Sequence, residues 1–367
     1  MPREFIGISG LNSGRFHFLR FLAVAPLFAA VICICSFAEG QENPQKAQQT
    51  IRIGVERVNV GVIVSDHSGH FVEGLRREDF RVFDNGIEQP LTGFAAIEEP
   101  AQVLFLIEAG PAVYLLGKNH IRASDTLLNS LAPNDSVAIA SYSRIPDLLL
   151  NFTPDKPTAR FVLQNMNFSL GYAELNLSSS VASAIDWLAA SPGKKTLVVL
   201  STGVDTSAPS MWQVIQEKLR TSEVRILGVS LSGDFRKPLK GRKVSAQERE
   251  NKAWLKQVFA QADRELHELS IVTGGRVYYP KNEKEFDRAY SEIAQLVRHE
   301  YSIAFTPPAN DGQIHAIQVK VKRFGCRVDH RQAYLAPIPK TMPASDLPAK
   351  QGSSFKRGLS GGSNNRF

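Results

Sequence analysis

Three groups of residues have types and spacings that could do chemistry. The run Gly228-Val229-Ser230-Leu231-Ser232-Gly233 comes close to the G-x-S-x-G turn that lifts a nucleophilic serine off a strand end, but its last glycine falls one residue late. A hydrolase using Ser230 would also need a base and an acid. The late histidines, His299, His315 and His330, fall at a helix end or in strands that return at the end of the chain. Ser230 therefore reads as an ordinary strand-end serine, with hydrolysis kept as the weakest of three functional readings. Asp66, His67 and His70 crowd a single turn, where a metal site is conceivable. Their spacing matches no zinc pattern, and Asp-x-Ser-Gly is common turn chemistry. The third group is a charged insertion holding Arg236, Lys237, Lys240, Arg242, Lys243, Arg249 and Lys252, partly offset by Asp234, Glu248 and Glu250. It reads as a solvated loop leading into a helix, with docking on an anionic polymer or an acidic partner as the alternative. The chain has no Walker A loop, H-E-x-x-H, paired C-x-x-C or EF-hand loop, so no cofactor is expected.

The elements that would position these residues follow from composition and periodicity. The chain has 367 residues, 43% hydrophobic and 22% charged, with three cysteines and a net charge of +7. That is enough apolar material for more than one core, and too few cysteines for a disulfide-stapled miniprotein. Arg3, Arg15, His17 and Arg20 precede an apolar run from Phe21 to Ala38 that ends in small residues. The pattern predicts a signal peptide over residues 1–38, placing the protein in the periplasm or outside the cell, with an uncleaved inner-membrane anchor over 21–38 as the alternative. Cleavage removes three arginines, Glu4, Cys33 and Cys35, lowering the net charge to +5 and leaving Cys326 alone as a small core residue of a strand. With so modest an excess of positive charge and no aromatic interleaving, nucleic acid is not an expected partner.

Residues 39–50 read as a linker, and 51–100 as a β unit whose Asp84-Asn85-Gly86 is a strong hairpin signal. Continuous apolar strands such as QVLFLIEA, KKTLVVLST and VRILGVSLS then alternate with amphipathic helices through residue 300, predicting a doubly wound α/β sheet. One of those helices carries Trp254, Leu255, Val258, Phe259, Ala262, Leu266 and Leu269 on a single stripe. Strands over 301–337 have no helix to pack on and are expected to pair with the N-terminal β unit as a small sandwich. Separate β units, or edge strands on the α/β sheet, are the alternatives. Residues 338–367 have the composition of a disordered tail.

Several patches in order, VNVGVIVSDHSGHFVEGLRREDFRVFDNGIEQPLTGF, VLFLIEAGPA, KKTLVVLSTGVDTSA, LHELSIVTGGRVYYP and RHEYSIAFTPP, resemble the VWFA-related domain proteins of acidobacteria across residues 52–336. The resemblance implies a von Willebrand factor A fold, export, and adhesion or protein recognition rather than catalysis. Such domains often hold Mg²⁺ through D-x-S-x-S after the first parallel strand, a later threonine, and an aspartate after the fourth. The matching positions here are Glu108, Gly110, Ala112, Ala173 and Thr202, and all five depart from the motif. Mg²⁺ requires hard oxygen ligands in near-octahedral geometry. Glu108, Ser178, Thr202 and Asp205 are the residues left to offer oxygens near one rim, so no metal site is expected. The expected function is metal-free binding of an unknown protein partner at the cell envelope, through a rim of Glu108, Ser201, Thr202 and Asp205. A structural or vestigial domain is the second reading.

Overall fold

A computed structural model describes residues 57–97, 100–111, 113, 118–168, 174–191, 193–233 and 245–338. The stretches expected to be signal, linker and tail (all but Ile338 of the last), most of the charged insertion, Ala112 and Ala173 lie outside the described residues. Among the described residues, no helix is long and apolar enough to cross a membrane.

The centre is a six-stranded sheet of β5 (Ala101–Glu108), β6 (Ser136–Tyr142), β7 (Pro146–Thr153), β8 (Lys194–Ser201), β9 (Arg225–Ser230) and β10 (Val277–Tyr278). Its order is β10-β9-β8-β5-β6-β7, parallel throughout except for β7 at one edge. Among the described residues six helices cover it: α1 (Lys118–Ser130), α2 (Lys156–Gln164), α3 (Leu177–Ala189), α4 (Pro209–Thr221), α5 (Ala246–Ile271) and α6 (Glu283–Arg298). Successive side chains of a strand face opposite ways, so β5 feeds two cores. Val103, Phe105 and Ile107 pack with Leu127 of α1, Leu163 of α2 and Ile293 of α6. Leu104 and Leu106 pack with Ile185 of α3, Ile215 of α4 and Leu266 of α5. Burying one such side chain stabilises by about 1.5–3 kcal/mol.

The stripe on α5 is half correct. Phe259, Ala262, Leu266 and Leu269 are buried, but Trp254 is 62% and Leu255 39% exposed, because the first turns of this 26-residue helix run past the sheet.

The chain ends pair with each other, as their lack of covering helices predicts. One sheet has the order β13-β1-β11-β4, from β1 (Val58–Ser65), β4 (Leu91–Ile97), β11 (Glu300–Phe305) and β13 (Arg327–Asp329). The other has the order β14-β12-β2-β3, from β2 (Phe80–Asp84), β3 (Ile87–Gln89), β12 (Ile314–Val321) and β14 (Ala333–Leu335). Their inner faces share one core around Val60, Val62, Val82, Ile303, Phe305 and Val319. The β2–β3 hairpin turns at Asn85 and Gly86 with φ of 46° and 83°, the positive pair a type I′ turn demands. Cys326 is not in a strand: it lies half-buried just before β13, with its Sγ 3.8 Å from the Phe324 carbonyl oxygen.

The TGGR run at residues 273–276 is the seam between the β layer and the parallel sheet. A Cβ on Gly275 would stand 1.8 Å from the Ile226 carbonyl oxygen, so no other residue fits this approach. Arg276 then crosses into the β layer to the Asp329 carboxylate and the Ser65 hydroxyl, all three buried.

Candidate functional site

In a doubly wound sheet the ligand crevice opens beyond the carboxyl ends of the strands where the strand order reverses. Here that point lies between β5 and β8, which end at Glu108 and Ser201. The parallel register also brings Tyr142, the last residue of β6, beside Glu108.

These ends form one closed network. Glu108 Oε2 accepts hydrogen bonds from the Thr202 backbone N–H (2.7 Å), the Thr202 hydroxyl (2.8 Å) and the Ser201 hydroxyl (3.0 Å), with the Tyr142 hydroxyl at 3.5 Å. Since Ser201 donates to Glu108, its oxygen accepts from the Tyr142 hydroxyl at 2.7 Å and from the Gly203 N–H at 2.7 Å. Glu108 and Ser201 are 0% exposed and Thr202 1%. Glu108 Oε1 has no hydrogen-bond partner. Burial raises the Glu108 carboxyl above the usual carboxylate range against the pull of these donors. Burial and the neighbouring Glu108 charge also push the Tyr142 phenol well above its ordinary value.

Asp205 is engaged elsewhere. Its carboxylate accepts from the backbone N–H and hydroxyl of Ser178 in the first turn of α3, and from the Ser207 N–H. A carboxylate at a helix N-terminus meets both the free N–H groups and the positive end of the helix dipole. Thr206 stitches the same loop to Leu175 through its hydroxyl and backbone. Of the four residues expected to form a rim, Glu108, Ser201 and Thr202 are thus interior, and only Asp205 is half-exposed. The hydrogen bonds that fix the strand ends also draw the first three below the surface.

The donor set does not fit Mg²⁺. Oxygens that might ligate it already serve hydroxyl or backbone N–H groups, and the one unengaged carboxylate oxygen, Glu108 Oε1, faces Gly110, which has no side chain to contribute. Among the described residues, no group of three histidine, cysteine, aspartate or glutamate side chains converges as a metal site.

Ser230 is 0% exposed, bonded to the Ser232 hydroxyl at 2.8 Å and to the Asp263 carboxylate at 3.1 Å. The histidines weighed against it have other contacts. His299 stacks on Phe71, His315 meets Asp84 at 2.8 Å, and His330 accepts from the Val319 N–H. Asp66 accepts from the backbone N–H groups of Ser68 and His70, the hydrogen bonds of an Asx turn, while His67 reaches the Gly325 carbonyl oxygen. Arg249 and Lys252, the described part of the basic stretch, are exposed on α5. Sequence reasoning missed Tyr142 and Asp263 as site neighbours; parallel register and helix packing bring them in, and no local motif marks either.

No protein-family model and no curated protein matches the chain. Among solved structures it is similar to the conserved hypothetical protein BatB from Bacteroides thetaiotaomicron, at 16% identity and a TM-score of 0.35 over 53% of this chain and 98% of that one. It is similar to a von Willebrand factor type A protein from Catenulispora acidiphila, at 12% identity and a TM-score of 0.38 over 73% and 76% of the two chains. It also resembles the PilB minor pilin from Streptococcus sanguinis, at 12% identity and a TM-score of 0.36 over 57% and 63%. These are likenesses of backbone alone.

Proposed function

We propose that this is an exported, non-enzymatic protein that binds a protein partner at the cell envelope without a divalent cation. The observation that carries the reading is the filled crevice: where a doubly wound sheet offers its ligand, Glu108 is bonded instead to Ser201 and Thr202. Recognition then falls to the surface around it, where Thr206 and Ala208 are exposed. Export rests on the basic and apolar pattern of the first 38 residues. The adhesion-type role rests on the von Willebrand A resemblance of the sequence. Burial of Ser230 beside Asp263 supports the absence of hydrolysis.

Calorimetric titration with Mg²⁺ or Mn²⁺ tests the cation-free site. The expected result is no site tighter than about 1 mM; a micromolar site abolished by Glu108→Ala overturns it. Capture of an envelope partner should survive chelator and be lost in Thr206→Arg. The second reading, a purely structural domain, is favoured by the burial of Glu108, Ser201 and Thr202, and on it Thr206→Arg leaves every envelope interaction unchanged.

A further inference from the structure

At the opposite end of β8, about 23 Å from Ser201 at a strand rise of about 3.3 Å per residue, the β layer meets the amino-terminal edge of the parallel sheet. A cavity of about 350 Å³ lies there, lined by Lys194, Arg225 and Arg331 among others. These are the first residues of β8 and β9, and a residue between β13 and β14. Their side chains are only 7%, 8% and 12% exposed.

The carboxylates do not match this charge. Glu300, 13% exposed, takes the Arg225 guanidinium at 2.9 Å, while Lys194 Nζ stands 3.5 Å from the same oxygen and makes no hydrogen bond. Glu223 is 67% exposed and lies 3.9 Å from Arg331. Arg225 and Arg331 each give one N–H to a backbone carbonyl oxygen, of Gly61 and Asn59, and each retains a buried Nε–H with no acceptor. The hydroxyl of Thr196, which also lines the cavity and is 0% exposed, has no partner either. Buried cations are ordinarily paired, and buried donors ordinarily satisfied. The lining sets three cationic heads and an unpartnered hydroxyl against one buried carboxylate, Glu300; a second, Asp135, acts on Lys194 from outside the lining.

We propose that this cavity binds a small oxyanion, a phosphate or sulfate group, held by Lys194, Arg225 and Arg331. Arg presents a planar fork and Lys a compact point charge, the combination that tetrahedral oxyanions recruit. Burial and the nearby Arg225 charge lower the Lys194 ammonium to about 8, against the pull of Glu300, so it keeps most of its charge at neutral pH. The site is separate from the Glu108 network and from any partner bound above it.

The test uses the whole secreted chain with inorganic phosphate as the probe, followed by calorimetry and by thermal unfolding against sodium chloride of equal ionic strength. Expected are saturable binding at about 1 mM or tighter and a rise in Tm that chloride does not reproduce. Lys194→Gln and Arg331→Gln should each weaken binding by about tenfold or more. Glycerol phosphate in a parallel arm distinguishes the sources: equal binding points to a phosphate group on a larger molecule, and binding of inorganic phosphate alone to the free ion. Where a variant fails to fold, phosphorus NMR line broadening on the native protein, reversed by sulfate, replaces it. No saturation, a Tm rise equalled by chloride, unchanged affinity in both folded variants, or broadening that sulfate does not reverse would overturn the proposal.

Discussion

Glu108 Oε1 lies 3.2 Å from the point where a Cβ on Gly110 would stand, and that Cβ would also sit 3.1 Å from Leu175 Cδ2. The longer acid and the missing side chain are therefore complementary: one occupies the room the other gives up. Gly110→Ser should destabilise by about 1–3 kcal/mol through overpacking. Adding Glu108→Asp should recover part of that loss, which a double-mutant cycle read by urea unfolding would detect as coupling. Strict additivity would show that the two positions do not compete for space.

Glu108→Ala should cost at least about 2 kcal/mol, because it leaves the Thr202 N–H, the Thr202 hydroxyl and the Ser201 hydroxyl without their shared acceptor. Glu108→Gln should cost much less. It should also flatten part of the pH profile. A carboxyl whose folded value is raised takes up a proton on folding, so stability falls as pH climbs from the ordinary 4.5 through the folded value. Urea midpoints measured from about pH 4 to about pH 8 should therefore decline in the native protein more than in Glu108→Gln.

His315 should give a second pH signature. Burial lowers its value, but hydrogen bonds to Asp84 and Asp311 outweigh that and raise it above 6.5. A raised histidine contributes stability that is fully present below its unfolded value and is lost as pH rises through the folded one. His315→Gln should remove this loss above pH 6.5 and leave the profile near Glu108 unchanged. An identical slope in both proteins would count against the pairing.

The two arginine pairs should differ sharply. Arg276 and Asp329 are 8% and 9% exposed, so Arg276→Ala leaves the buried carboxylate only its half-exposed partner Arg327 and the Ser65 hydroxyl without its donor, and should cost about 2–4 kcal/mol, with little dependence on salt. Arg81 and Glu88 are 51% and 46% exposed, and Arg81→Ala should cost about 0–1 kcal/mol. Comparable losses from both would mean that burial does not govern the seam.

These contrasts follow how much was legible in the chain. The Asn85-Gly86 hairpin was readable because its cause is local, and the pairing of the chain ends because each end carried apolar strands with nothing to cover them. Trp254 and Leu255 misled, since helical periodicity fixes a face but not how far the neighbouring sheet extends beneath it. The departures at Glu108 and Gly110 were visible as letters. Their meaning was not, because it depends on Tyr142 and Leu175, brought near by parallel register and loop packing. No letter marks Lys194 and Arg225 as interior, and only the β layer stacked across them makes them so.

The chain enters the parallel sheet from β4 and leaves it into β11, two strands paired antiparallel. At its other edge β1 is paired with β13, which leads to β14 within a few residues. Tension drawn between Val58 and Leu335 therefore enters through β1 and β14, both in the β layer, and reaches the parallel sheet only at the seam where Arg331 bridges Thr273 and Asp329 pairs with Arg276. Under shear, the three residue pairs joining β14 to β12 take the load at Leu335 before the seam does, while the strand tops that carry Glu108 and Ser201 lie at the other end of the sheet from that seam.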